Sequence, residues 1–149
     1  MGSRIKALAC DFDKTIANTG NYTKEKIGEI YKFAGREIKI DDKELEVGSR
    51  WPEILKMLHV PRRKATQIYL SNIDAITLYD RVKETFEYVH SLGYPIGIAT
   101  HSPRCVVETV FERNGVLGYI TKMVTFDEIL KLKLRPKPAP IAFYGLLTS

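Results

Sequence analysis

The chain is poor in several features, and each shortage excludes a class of protein. No apolar run approaches the ~20 residues that a helix needs to cross a bilayer, and the start Met1-Gly2-Ser3-Arg4 has none of the apolar core of a secretory signal. Cysteine is scarce: Cys10 and Cys105 stand far apart in 149 residues. Two unclustered thiols exclude a disulfide framework and a cysteine-rich metal site, and they suit a reducing compartment. A cytoplasmic protein is the expectation. Low-complexity sequence is missing as well, and 44% hydrophobic with 28% charged residues is the balance of a globular domain. The length allows one ordinary domain, or a core with a small inserted module.

Acidic residues fall short of basic ones, leaving a formal charge of +5. The excess collects in Pro61-Arg62-Arg63-Lys64 and in the series Lys131, Lys133, Arg135, Lys137. Neither run belongs to a recognisable nucleic-acid-binding module, so nucleic acid is not the expected partner.

What is present centres on Asp11-Phe12-Asp13-Lys14-Thr15. This stretch follows the apolar run Ile5 to Cys10, broken only by Lys6, and precedes a polar loop. Such a run reads as a strand buried in a parallel sheet. Carboxylates at i and i+2 just past its end would stand in the crevice where parallel sheets bind ligands. Adjacent anions raise each other's pKa and need a compensating cation or donors. Mg²⁺ answers that need, because it takes few protein carboxylates and leaves room for phosphate oxygens. Capping of the next helix is the other use such a pair could have.

Downstream, helical spacing predicts a helix N-capped by Thr23 with Ile27, Ile30, Tyr31 and Ala34 on one face and Gly35 past its end. A second helical piece begins near Asp41-Asp42 and stops at Gly48. A third follows Ser49 with Trp51, Ile54, Leu55 and Leu58 inward, and a fourth runs from about Arg62 to Leu78. Four helical patterns with no strand between them make a small bundle inserted after the first strand. Asp80 then caps a helix carrying Val82, Phe86 and Val89, which Gly93 ends. Pro95 to Thr100 is the second strand, and Ser102-Pro103 starts a helix with Val106, Val107, Val110 and Phe111 inward. A hydroxyl at a strand end beside a helix N-terminus is suited to an anion, though Thr100 could equally cap that helix. A third strand is expected from about Tyr119 to Val124, and Thr125 to Glu128 has capping-box spacing. In Arg135-Pro136-Lys137-Pro138-Ala139-Pro140, alternating prolines hold Lys137 on a stiffened, extended loop.

Asp11 to Thr15, Thr100 and Lys137 resemble, in order, the first three motifs of the haloacid dehalogenase superfamily of phosphohydrolases. The resemblance spans nearly the whole chain and implies an α/β fold. It expects a Rossmann-like parallel sheet core from residues 1–16 and 80–149 and an inserted α-helical cap at 17–79. It implies a Mg²⁺-dependent phosphohydrolase acting on a small phosphorylated metabolite through an aspartyl-phosphate. In that scheme Asp11 is the nucleophile and Asp13 the acid and base. Mg²⁺ sits on the Asp11 carboxylate and the Asp13 carbonyl, Thr100 and Lys137 bind phosphoryl oxygens, and Thr15 steadies the loop. Ser102 opens the helix at the anion site, and His101 stands where the family often has Asn or Ser. The turn Gly48-Ser49-Arg50 resembles a cap loop that approaches the substrate, so Arg50 is a candidate for a second anionic group. Lys14 replaces the glycine common in the first motif.

No counterpart of the family's fourth motif, a strand ending in acids that complete the Mg²⁺ site, precedes Ser149. The expectation is a core truncated at its C-terminus, with the bare edge beside Ile5 to Cys10 covered by a missing C-terminal segment, by a second copy in a homo-oligomer, or by a part supplied from a partner chain. The alternative is a noncatalytic binding or assembly subunit with an incomplete metal site.

Overall fold

The computed structural model describes residues 7–38 and 51–133. Its sheet is parallel, ordered β1-β2-β3 among the described residues, with β1 at Leu8–Cys10, β2 at Ile96–Ala99 and β3 at Lys122–Val124. Leu8 stands opposite Ile96 and Cys10 opposite Ile98, while Ile98 also faces Met123. The central strand β2 is buried along its length. Ile-Gly-Ile-Ala has no polar side chain to oppose that, as a strand covered on both faces requires.

Helices α4 (Val82–Ser91) and α5 (Arg104–Arg113) bury Phe86, Val106, Val107, Val110 and Phe111 in the cluster that contains the strand residues Ile96 and Ile98. The α5 residues form a single stripe at helical period. Phe111 meets Phe12 and Phe86 edge-on, with ring centroids 5.5 and 6.3 Å apart. Among the described residues, three further helices lie between β1 and α4 in the chain: α1 (Gly20–Phe33), α2 (Trp51–Met57) and α3 (Arg62–Leu70). They enclose a separate apolar cluster of Ile27, Ile30, Tyr31, Ile54, Leu58, Val60 and Ala65. Tyr22 of α1 and Tyr69 of α3 belong instead to the sheet-side cluster, so these two rings join the helical module to the core.

Several expectations need correction. β1 is not buried on both faces: it lies at the edge of the described sheet, with Ala9 exposed and its neighbours half-buried. α1 begins at Gly20 rather than after Thr23, whose side chain is used elsewhere, while Gly35 does follow its end, at φ 67°. The helix from Arg62 stops at Leu70, because Ser71 turns extended and Asn72 enters the left-handed region at φ 60°. Arg81, not Asp80, is the residue before α4. The third strand starts later than expected, since Leu117–Tyr119 forms a 3₁₀ turn. The helical piece near Asp41 and Asp42, Arg50 and the segment holding Lys137 lie outside the described residues.

The predicted capping box is present at the start of α6 (Phe126–Lys131). Glu128 accepts the Thr125 backbone N–H at 2.8 Å and the Arg104 Nε at 3.0 Å. Phe126 N–H donates to the Ser102 carbonyl at 3.2 Å, and Asp127 accepts the Arg104 N–H at 2.7 Å, so α6 fixes the loop that follows β2. Burial raises the Glu128 pKa, but hydrogen bonds from Thr125 and Arg104 outweigh it and hold the carboxyl below its usual 4.5. A depressed folded pKa gives stability that is complete above the unfolded value and is lost as pH falls through the folded one. Glu128→Gln is therefore expected to melt lower than wild type at neutral pH, with the gap closing in acid. A thermal melt series across pH checks this, and a constant gap would mean the residue acts by shape, not charge.

Candidate functional site

Phe12 is completely buried against Phe111, and this anchor lies between the two carboxylates of Asp11-Phe12-Asp13. The chain then doubles back: Ile16 and Ala17 N–H donate to the Phe12 carbonyl at 3.1 and 3.0 Å, and Lys14 N–H donates to Ala17 at 2.9 Å. Lys14 sits at φ 57°, a left-handed conformation that costs a side-chain-bearing residue roughly 1 kcal/mol relative to glycine. That is the physical reason for the glycine common at this place in the resembled motif.

Because β1 and β2 pair in parallel with Cys10 opposite Ile98, their carboxyl ends emerge side by side. Thr100, fully buried, donates its hydroxyl to Asp13 Oδ2 at 2.9 Å and accepts the Ser102 N–H at 3.0 Å. Ser102 Oγ donates to both Asp13 oxygens at 3.0 and 2.9 Å. Thr19, in the loop after β1, is buried as well. Burial pushes the Asp13 carboxyl up; hydrogen bonds from Thr100, Ser102 and Thr19 pull it back, and the charge of Asp11 pushes it up again. The balance leaves it raised. The structure thus places a carboxyl that holds its proton to higher pH two residues from Asp11, the arrangement a paired acid and nucleophile require.

Of the residues singled out in the sequence, Asp11, Asp13, Thr15, Thr100 and Ser102 come together. Thr15 donates to Asp11 Oδ2 at a long 3.4 Å. The Thr100 hydroxyl, expected on a phosphoryl oxygen, is directed at Asp13. His101 lines an apolar groove between α2, α3 and the core with Leu55, Ala65, Tyr69 and Phe126. Sequence reasoning missed Thr19 and Tyr69. A second threonine four residues beyond Thr15 was the available signal for the first. For Tyr69 there was none beyond its place on a helix face, because its partner Thr23, at 2.9 Å, lies on another helix.

The donors that could hold a metal are oxygens only, from Asp11 and Asp13, and this is the chemistry that Mg²⁺ selects over softer ions. Among the described residues no group of three or more His, Cys, Asp or Glu side chains gathers. Mg²⁺ fits two such residues because it usually keeps several waters and takes substrate phosphate oxygens.

The family model for haloacid dehalogenase-like hydrolases matches residues 9–148. A phosphoglycolate phosphatase of Vibrio parahaemolyticus is 30% identical over 70 residues, which are 47% of this chain and 29% of that enzyme. Pyrophosphatase PpaX of Bacillus velezensis is 29% identical over 73 residues, 49% of this chain and 34% of PpaX. The matched stretch thus spans about a third of each of these curated relatives. Among solved structures, mutant CbbY from Rhodobacter sphaeroides in complex with xylulose-(1,5)bisphosphate aligns with a TM-score of 0.77 at 17% identity, over 96% of this chain and 71% of that one. The HAD phosphatase from Thermococcus onnurineus aligns at 0.66 and 20% identity, over 95% and 69%. At such identities these two structures establish the fold: a parallel sheet with flanking helices, the α/β architecture expected of the sequence.

Proposed function

The chain belongs to the haloacid dehalogenase-like hydrolases, and from that premise we propose that it is a phosphatase releasing phosphate from a small phosphorylated metabolite through an aspartyl-phosphate on Asp11. The observation that carries this reading is the Asp13 carboxyl, raised by burial, held by Thr100 and Ser102, and two residues from Asp11. Asp11 attacks phosphorus as the bond to the leaving oxygen breaks, and Asp13 gives that oxygen its proton. Asp13, now ionised, takes a proton from water, whose oxygen attacks the aspartyl-phosphate and frees Asp11 and inorganic phosphate. Mg²⁺, when bound at the Asp11 carboxylate and the Asp13 carbonyl, would supply charge neutralisation for the phosphoryl oxygens. The module α1–α3, inserted between β1 and β2, would serve as the cap over this site. Arg50 is assigned to a second anionic group of the substrate. The two free cysteines, Cys10 and Cys105, favour a cytoplasmic setting. The half-exposed edge of β1 is where a second copy would pair in a homo-oligomer.

The test is Mg²⁺-dependent release of phosphate from p-nitrophenyl phosphate. A chain that binds phosphate without turning substrate over would support the noncatalytic alternative. Lys137 is assigned to the phosphoryl group, so Lys137→Ala is expected to cut turnover by about 100-fold or more. Lys131→Ala and Lys133→Ala, both at exposed positions, are expected to leave it unchanged. Initial rates of the three variants check this, and a crippling Lys131→Ala would show that the third motif is misassigned.

A further inference from the structure

We propose that Asp127 of α6 is a positioning residue for Asp13, acting through the backbone that carries Ser102, and that Arg62 of the helical module supplies its second hold. This rests on the phosphatase reading above. Ser102 Oγ donates to both oxygens of Asp13, at 3.0 and 2.9 Å, so the orientation of the acid follows the position of Ser102. The Ser102 backbone is itself held at both polar groups. Its N–H donates to Thr100 Oγ1 at 3.0 Å, and its carbonyl accepts the Phe126 N–H at 3.2 Å. Pro103, which follows, has no N–H to give. The next donor along the chain is the N–H of Arg104, the first residue of α5, and it reaches Asp127 Oδ2 at 2.7 Å. A helix commonly finds an acceptor for such a donor on its own N-cap side chain, and Pro103 offers none. Asp127 supplies that acceptor from another helix, with a charge that suits a helix N-terminus.

Asp127 also faces the helical module. Its Oδ1 accepts Arg62 Nη2 at 2.5 Å, and the Arg62 guanidinium lies 5.1 Å from the centroid of the Phe126 ring. Arg62 is the first residue of α3. The module therefore touches the core at Phe126 and Asp127, the two residues whose backbone N–H and carboxylate bracket Ser102. With a donor on each oxygen, rotation of the Asp127 carboxylate breaks one bond or the other. The side chains of the Arg62–Asp127 pair are exposed, at 47% and 41%, so this second hold is weak beside the part-buried bond to Arg104.

Asp127→Ala removes the acceptor. With p-nitrophenyl phosphate and Mg²⁺, kcat is expected to fall by about tenfold with KM within about twofold. Asp127→Asn keeps an amide oxygen for the Arg104 N–H and loses only the ion pair, so it should recover most of that loss and match Arg62→Ala, at about two- to fivefold below wild type. The signature of positioning is non-additivity. In a Ser102→Ala background, already slowed because Asp13 has lost its donor, neither Asp127→Ala nor Arg62→Ala should slow turnover further. Arg62→Ala, at an exposed position, keeps the test available if Asp127→Ala folds poorly. Turnover that survives Asp11→Asn overturns the phosphatase reading and this proposal with it. Where turnover depends on Asp11, a kcat unchanged in Asp127→Ala, or losses that multiply in the Ser102→Ala background, overturns the role of Asp127 alone, and a kcat unchanged in Arg62→Ala overturns the module's share in it.

Discussion

Asp11→Asn is expected to abolish phosphate release from p-nitrophenyl phosphate while leaving the melting temperature at or above that of wild type. The amide matches the carboxylate in size and can still accept from Thr15 through its oxygen, but it has no charge with which to attack phosphorus. Its neutrality also removes a repulsion: the Asp11 charge is one of the causes holding the Asp13 pKa up. Phe12, buried between the two acids, is the residue that fixes the backbone there. Calorimetry together with single-turnover assays makes the check. Wild-type turnover in the variant would remove Asp11 as nucleophile, and a large loss of stability would mean that the charge serves the fold.

The parts of the molecule that proved legible in the sequence are those where one periodicity had no rival. The stripe of Val106, Val107, Val110 and Phe111 after Pro103 gave α5, and Ile96 to Ala99 gave β2, because neither pattern suits another element. The strand expected from about Tyr119 begins only at Lys122, because Tyr119 is taken up in the 3₁₀ turn Leu117–Tyr119. The spacing from Ile68 to Ile76 stays helical across Asn72, where backbone conformation breaks the helix; periodicity reports faces, not φ. Thr23 had the composition of a cap but sits inside α1, its hydroxyl engaged by Tyr69 across 46 residues of sequence.

The site divides along the same line. The acids of Asp11-Phe12-Asp13 and the hydroxyl of Thr100 could be named because each ends an apolar strand. That Thr100 and Ser102 would both face Asp13 depends on the parallel register Cys10 to Ile98, which sets two distant loops side by side. Register between strands with four described helices between them has no local signature.

Asp13→Asn is expected to lower kcat by roughly 10²–10⁴ and, unlike Asp11→Asn, to trap a phosphorylated chain. The variant should fold, because an amide oxygen in the place of Oδ2 keeps the hydrogen bonds of Thr100 at 2.9 Å and Ser102 at 2.9 Å, and only the Ser102 contact at 3.0 Å then meets nitrogen. Its stability relative to wild type follows from linkage. The folded Asp13 pKa is raised above 3.8, so wild type loses stability as pH climbs from that value through the folded one, and the amide loses none. The variant should gain on wild type as pH rises. For catalysis the loss is specific to proton transfer, which general acid–base groups accelerate by about 10²–10⁴. p-Nitrophenolate leaves without a proton, so Asp11 can still be phosphorylated by p-nitrophenyl phosphate. Hydrolysis of the aspartyl-phosphate then stalls for want of a base to deprotonate water. Rapid mixing should show a stoichiometric burst of p-nitrophenolate followed by slow release, with mass spectrometry finding phosphate on Asp11. An alkyl phosphate, whose leaving oxygen needs the proton, should give neither burst nor adduct. A burst-free, near-wild-type rate on both substrates would take the acid–base role away from Asp13.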